Sequence, residues 1–177
     1  MVKHNVQELI CAVRDAYTEA RDVMTELRTS IGERGLAEMA AEYVARISRQ
    51  DGPEVALVIS PTWEEEALSA LARVQLLHII EEALTNVRKH SAANHANVHL
   101  RVEAGHAQIS VEDDGRGFCL SRFLPELLDP VYFSRNESHH GLSAMRRRAR
   151  AVGGTFRIES SPGRGTHIIV RIPVNQV

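Results

Sequence analysis

Three short strings in this chain carry residue types that do chemistry on phosphates, metals or nucleobases. In "HIIEEALTNVRKHS", Glu82, Asn86 and then Lys89 or His90 follow at spacings of four and three or four, so a helix carries an acid, an amide and a cation on one face. A side-chain amide oxygen is a hard ligand suited to Mg²⁺, which keeps several waters and takes phosphate oxygens besides. Glu82, one turn away, could accept a proton from an incoming nucleophile. Taken alone, the string is also the pattern of a solvated polar helix face. In "VEDDGRGFCL", an alternating apolar run ends on Asp113 and Asp114, and Gly115 and Gly117 follow. Glycine lets the backbone turn away and lie close to a flat ligand. A carboxylate only accepts hydrogen bonds, and the N6 amine of adenine donates them, so Asp113 could distinguish adenine from guanine. Alone, this string is equally a tight acidic turn. The third string, "HHGLSAMRRRARAVGGTFRIESSPGRGTHIIV", sets His140 and Gly141 before a helix and Thr166 after a glycine-rich link. A helix N-terminus offers unpaired N–H groups and a favourable dipole to phosphates. Arg146, Arg147, Arg148 and Arg150 are read as a solvated or ion-paired face of that helix.

Other chemistries find no support. GxxxxGK[ST] and HExxH are absent, and neither Gly-Arg-Gly continues into GxGxxG. His95 and His99, four apart on an expected strand, are read as surface residues rather than ligands. Cys11 and Cys119 are lone cysteines, which fits a reducing compartment and no disulfide framework. A formal net charge of -2 with 25% charged residues advertises neither nucleic acid nor an anionic membrane. No apolar run approaches the roughly 20 residues of a spanning helix. The expected location is cytoplasmic, without direct membrane contact in this segment.

The elements that must position these strings alternate. Val6, Ile10, Val13, Tyr17, Ala20, Met24 and Leu27 form the seam of a long N-terminal helix, read as half of a helical hairpin or dimer stem or as a helix on its own domain. "RTSIGERGLAE" marks a break, giving residues 1–34 as one unit and 35–177 as the other, with a helix from about Leu36 to Ser48. "EVALVIS" reads as a strand. "EEEALSALARVQLLHIIEEALTNVRKH" reads as a helix with Leu71, Val74, Leu77, Ile80, Leu84 and Val87 as its apolar stripe. A hairpin follows, turning at Ala104-Gly105. After a polar, proline-containing stretch come a helix ended by Gly153-Gly154 and two closing strands. The expected fold class is an α/β (α+β) two-layer sandwich with a mixed, mostly antiparallel sheet.

"EEALTNVRKHS", "VEDDGRGF" and "HGLSAMRRRARAVGGTFRIESSPGRGTHIIVRIP", in this order, resemble the asparagine and glycine boxes of the ATP-binding catalytic domain of two-component sensor histidine kinases. The glutamate four before the asparagine is similar to the nitrate/nitrite-sensor subfamily. The resemblance covers about Glu54 to Pro173 and implies the Bergerat fold of the GHKL superfamily, with helices on one face of the sheet. It implies ATP and Mg²⁺ as cofactors, Asn86 as the Mg²⁺ ligand and Glu82 as the catalytic residue assisting the phosphoryl-accepting histidine. It further implies Lys89 and His90 as phosphate-side contacts, Asp113 as the adenine acceptor and Gly115 and Gly117 as the nucleotide-lining turn. Gly141, Leu142, Gly165 and Thr166 become lid hinge and phosphate wall, with the lid from about Phe118 to His140. Asp114 fills a variable position and need not touch the base. Ala144 stands where relatives often carry a second glycine. Residues 1–34 resemble the distal part of the dimerisation and histidine-phosphotransfer stem, so the implied partners are the rest of that stem in a homodimeric parent, for which the resemblance allows an inner-membrane anchor, and a response regulator. No helix carries the phosphoacceptor histidine in its usual setting: His4 lacks the acidic neighbour. The chain is therefore expected to be an excised fragment with an added Met1, binding ATP without autophosphorylating. A serine kinase of the anti-sigma type and a non-catalytic ATP-dependent clamp share the implied fold.

Overall fold

Strands form where apolar residues alternate, because successive side chains point to opposite faces. The computed structural model describes residues 34–120 and 140–174. The expected N-terminal seam and most of the expected lid lie outside them. Five strands, β1 (Glu54–Ile59), β2 (His95–Glu103), β3 (His106–Asp113), β4 (Thr155–Ser160) and β5 (Thr166–Pro173), make one sheet in the order β1-β2-β3-β5-β4. Only β1 and β2 pair in parallel; the other pairs are antiparallel. The sheet is therefore mixed and mostly antiparallel, as the sequence implied. One face buries Val98, Leu100, Ile109, Val111, Ile168 and Val170, while Arg101, Glu112, Arg157 and Arg171 on the other are exposed. The β2–β3 turn falls at Ala104 and Gly105, both at positive φ, which is the backbone twist a two-residue hairpin requires.

Three helices, α1 (Leu36–Ile47), α2 (Ala70–Asn86) and α3 (His140–Ala151), cover the buried face. Helix α1 has no side-chain cap of its own at Gly35. The Glu65 carboxylate replaces it, accepting from Leu36 N at 2.8 Å and Ala37 N at 2.6 Å while also taking the Trp63 indole N–H at 2.8 Å. A Cβ at Gly35 would lie 2.9 Å from Glu65 Cδ, so the glycine makes room for this distant cap. That use of Glu65 corrects one expectation. The "EEEALS" segment does not belong to α2 but forms a 3₁₀ turn at Glu65–Ala67, and α2 starts after Ser69, whose Oγ accepts from Ala72 N.

Helix α2 also buries more than one stripe. Ala72, Val74, Gln75, Leu76, Ile79, Ile80, Ala83 and Leu84 are all buried, whereas Leu71, expected in the stripe, is 43% exposed and Leu77 is half-buried. The reason is its central place: it packs on β3 while α1 and α3 pack on it. The arginine-rich α3 contributes to that packing, since Arg148 Nη1 donates to Oε1 of buried Gln75 at 3.0 Å. At least this arginine turns inward rather than toward solvent. Helix α3 ends where the amides of Gly153 and Gly154 return to the carbonyls of Arg150 and Ala149, with Gly153 left-handed at φ 72°.

Candidate functional site

The end of α2 departs from regular helix where its chemistry begins. Val87–Ser91 forms a π-helical turn, closed by Ser91 Oγ donating to Val87 O at 2.6 Å and ended by Ala92 in the left-handed region. A π turn advances less than 100° per residue, so His90, four after Asn86, falls in line with it while Lys89 falls short. Ala83, Asn86, Val87, His90 and Ser91 accordingly line one wall of a cavity of about 340 Å³, within the range of small-ligand sites. Both Lys89 and His90 are exposed, and of this pair expected on the phosphate side His90 lines the cavity while Lys89 does not.

The opposite wall comes from strand ends. Val111 and Asp113 of β3 and Thr166 and Ile168 of β5 line it, because the inward positions of two paired strands share a face; Asp113 is the rung partner of Thr166. Asp113 is 7% exposed, a carboxylate held among apolar groups. Burial pushes its pKa above the ordinary 3.8, while hydrogen bonds from the Gly115 amide and from Thr166 pull the other way. Oδ1 accepts from Gly115 N at 2.8 Å. Apolar side chains of Ala83, Val87, Val111 and Ile168 lining the same cavity as an acceptor-only carboxylate suit an apolar ring carrying an amine.

Asp114 has a different task. Its Oδ1 accepts from Asn94 N at 2.8 Å and His95 N at 2.9 Å, and its Oδ2 lies 2.8 Å from His95 Nδ1. These contacts, led by the His95 amide, hold its pKa down to about 2. They also raise His95 above 6.5, so His95 is a surface residue as expected, but a tied one.

The glycines of the two Gly-Arg-Gly turns are tightly packed. A Cβ at Gly115 would lie 2.5 Å from Ser91 O, one at Gly117 would lie 2.1 Å from Ser161 O, and one at Gly165 would lie 1.9 Å from Asp113 O. Neighbouring backbone lies where their side chains would stand, and of the three Gly117 lines the cavity. The two Gly-Arg-Gly turns are stitched together, with Gly163 N donating to Arg116 O at 2.7 Å. Arg116 N in turn donates to Ser91 O at 2.8 Å, and Phe118 N to Ser160 Oγ at 2.9 Å.

Gly141 and Leu142, at the start of α3, complete the cavity. A Cβ at Gly141 would lie 2.2 Å from Glu82 Oε1 and 3.1 Å from Asn86 Nδ2, so this glycine packs closely against both. Glu82 does not line the cavity. It lines a groove of about 320 Å³ on the helical side, together with Tyr43, Glu81, Thr85 and Arg148. Arg116, Phe118 and Ser91 line the cavity without having been singled out from sequence. The apolar wall could have been read from the inward positions of β3 and β5; the remaining contacts depend on tertiary approach. Among the described residues no three His, Cys, Asp or Glu side chains converge as a metal cage. A cation beside Asn86 would draw its other ligands from phosphate and water, as Mg²⁺ commonly does.

Residues 72–176 match the family described as histidine kinase-, DNA gyrase B-, and HSP90-like ATPase. The chain is 30% identical over 171 residues to an uncharacterized sensor-like histidine kinase of Chloroflexus aurantiacus, covering 96% of this chain and 28% of that protein. It is 30% identical over 161 residues to the nitrate/nitrite sensor protein NarQ of Escherichia coli, covering 90% of this chain and 26% of that protein. The chain thus spans little more than a quarter of either relative. The histidine kinase domain of a blue-light activated histidine kinase of Erythrobacter litoralis superposes with a TM-score of 0.61 at 20% identity, over 81% of this chain and 63% of that one, and shares the fold. The resemblance read from the three strings is therefore matched by whole-domain similarity, and the matched span is the ATP-binding catalytic part of such kinases. The chain belongs to the family of histidine kinase-, DNA gyrase B- and HSP90-like ATPases.

Proposed function

We propose that this chain carries the ATP-binding catalytic domain, residues 35–177, of a cytoplasmic two-component sensor histidine kinase, preceded by the distal part of its stem in residues 1–34. The chain divides between Arg34 and Gly35, in support of that boundary. The observation that carries the reading is the convergence of Asn86, His90, Asp113, Gly141 and Thr166, from three separate strings, on one cavity with a buried carboxylate in its lining.

Asp113 fixes the adenine amine, His90 and the start of α3 face the phosphates, and Asn86 would hold Mg²⁺. The metal, when bound, supplies positive charge against the phosphate oxygens. Glu82, in the neighbouring groove, takes the proton as an imidazole nitrogen of the stem histidine attacks the γ-phosphorus. The bond from that phosphorus to the bridging oxygen breaks, ADP leaves, and the phosphohistidine passes its phosphoryl group to a response regulator. That Glu82 lines the neighbouring groove and not the cavity supports this division of labour, because acceptor and nucleotide then approach from different sides.

The test supplies the complete stem of the parent kinase in trans with labelled ATP and Mg²⁺. An acid-labile, base-stable phosphoprotein, lost in Glu82→Gln and Asn86→Ala, is expected. Acid-stable phosphate would point to a serine kinase. Nucleotide-dependent assembly without transfer would point to a clamp; either result overturns the proposal.

A further inference from the structure

Asp113 can recognise a base only if its carboxylate is aimed. Its Oδ1 accepts from the Gly115 amide and Thr166 also donates to the carboxylate, so its direction follows the backbone of residues 113–115 and the paired end of β5. On one side that backbone is closed in by Gly165, whose absent Cβ would lie 1.9 Å from Asp113 O. On the other side stands Asp114, exposed and off the cavity lining.

Asp114 grips the start of β2 with both its side chain and its main chain. The carboxylate takes the Asn94 and His95 amides and the His95 ring, while Asp114 N donates to His95 O at 3.2 Å. These contacts lie next to Ala96↔Asp113, the final rung of the β2–β3 ladder. An unclamped ladder frays at its end, and the end here is the residue that reads the base. We propose that Asp114, through its bonds to Asn94 and His95, is a positioning residue for nucleotide recognition: it fixes the direction of the Asp113 carboxylate and thereby the preference for adenine over guanine. This rests on the assignment of Asp113 to adenine.

The electrostatics agree with the geometry. The His95 amide and ring hold Asp114 ionised down to about pH 2. Asp114, and more weakly Glu54, the rung partner of His95 on β1, favour the protonated His95. The clamp is thus charge-assisted where His95 is protonated and remains hydrogen-bonded through the two amides where it is not.

The experiment measures Kd for ATP and GTP on the 177-residue protein, well below its thermal midpoint. Asp114→Ala is expected to weaken ATP binding about tenfold and to narrow the ATP:GTP ratio by a similar factor, the consequence of misdirecting one polar contact. Asp114→Asn keeps an oxygen for the two amides and should recover most of the ratio. An unchanged ratio in Asp114→Ala, even with a lowered thermal midpoint, would show a purely structural tie and overturn the proposal. Should Asp114→Ala not fold, His95→Ala removes only the ring contact and is expected to narrow the ratio about two- to threefold; no change overturns the proposal equally. Asp113→Asn separates the two levels. If it abolishes the ratio while Asp114→Ala leaves it intact, only the positioning role falls; if it leaves the ratio intact, the adenine assignment falls with it.

Discussion

Gly163 and Gly165 flank Arg164 in the β4–β5 link, and both are left-handed, with φ of 78° and 67°. Their surroundings differ. A Cβ at Gly163 would meet nothing within 4 Å, whereas one at Gly165 would lie 1.9 Å from the carbonyl oxygen of Asp113. Gly163→Ala therefore carries only the backbone cost, about 1–2 kcal/mol for an L-residue in the left-handed region. Loss of unfolded-chain freedom offsets about 0.4–1 kcal/mol of this, leaving a net destabilisation of about 0–1.5 kcal/mol. Gly165→Ala carries the same terms plus overpacking against main chain that cannot swing aside, about 1–3 kcal/mol more. The difference between the two alanine variants isolates the close approach of the two turns. Urea unfolding of the full chain, followed by circular dichroism and compared at equal m, measures it. Because the displaced atom belongs to Asp113, Gly165→Ala should also weaken ATP binding, and Gly163→Ala should leave it unchanged. Equal unfolding free energies and equal ATP affinities for the two variants would refute the reasoning, since strain at φ alone would then account for both.

Two further outcomes follow from the same geometry. Gly141→Ala puts a methyl group 2.2 Å from Glu82 Oε1, the far end of a flexible side chain, so the carboxylate moves while the fold is little strained. Phosphoryl transfer to a stem supplied in trans should drop by about 10²-fold or more with the thermal midpoint nearly unchanged, and undiminished transfer would remove Glu82 from the mechanism. For Asp113, burial raises the folded pKa above 3.8, so the folded state binds more protons between the unfolded and folded values. Stability therefore falls as pH rises through that window, and the full cost persists above it. Asp113→Asn keeps an oxygen for the Gly115 amide and removes the charge, so at pH 7 it should raise the thermal midpoint of the nucleotide-free protein while weakening ATP binding; a lower midpoint would contradict the burial argument.

Much of the fold was legible because it depends on local patterns. Alternation placed β2 and β3 and their inward faces, and Ala104-Gly105 marked the hairpin turn that the positive φ values of both residues bear out. Asp113 was legible as a candidate because an acceptor-only carboxylate at a strand end, followed by Gly-x-Gly, suits an amine on a flat ligand, whereas its burial appears only in the fold. What sequence could not supply were contacts between segments far apart in the chain. Glu65 caps a helix that begins 29 residues earlier, and no local signal distinguishes it from its neighbours Glu64 and Glu66. The glycines announced that backbone comes close to something, but not that the something is another turn. Lys89 and His90 stayed interchangeable at regular helical spacing and separated only because the helix widens at Val87–Ser91.

That widened turn joins the two ends of the cavity. Ser91 closes it by donating to Val87 O, and its own carbonyl then accepts from Arg116 N in the first Gly-Arg-Gly turn. Gly115 sits so close that a Cβ there would lie 2.7 Å from Ser91 Cβ. From Arg116 the chain of contacts continues through its carbonyl to Gly163 N, and the second Gly-Arg-Gly turn returns to Asp113 through Gly165. Asn86 and His90 on the helix and Asp113 on the strand are thus separate in sequence but tied to one another through contacts that, apart from the Ser91 hydroxyl, run through the main chain. On the proposed reading, a site that holds a base near Asp113 and phosphates near His90 needs this fixed span more than it needs any single contact. The glycines serve recognition indirectly, by letting three backbone segments close on one another around the cavity.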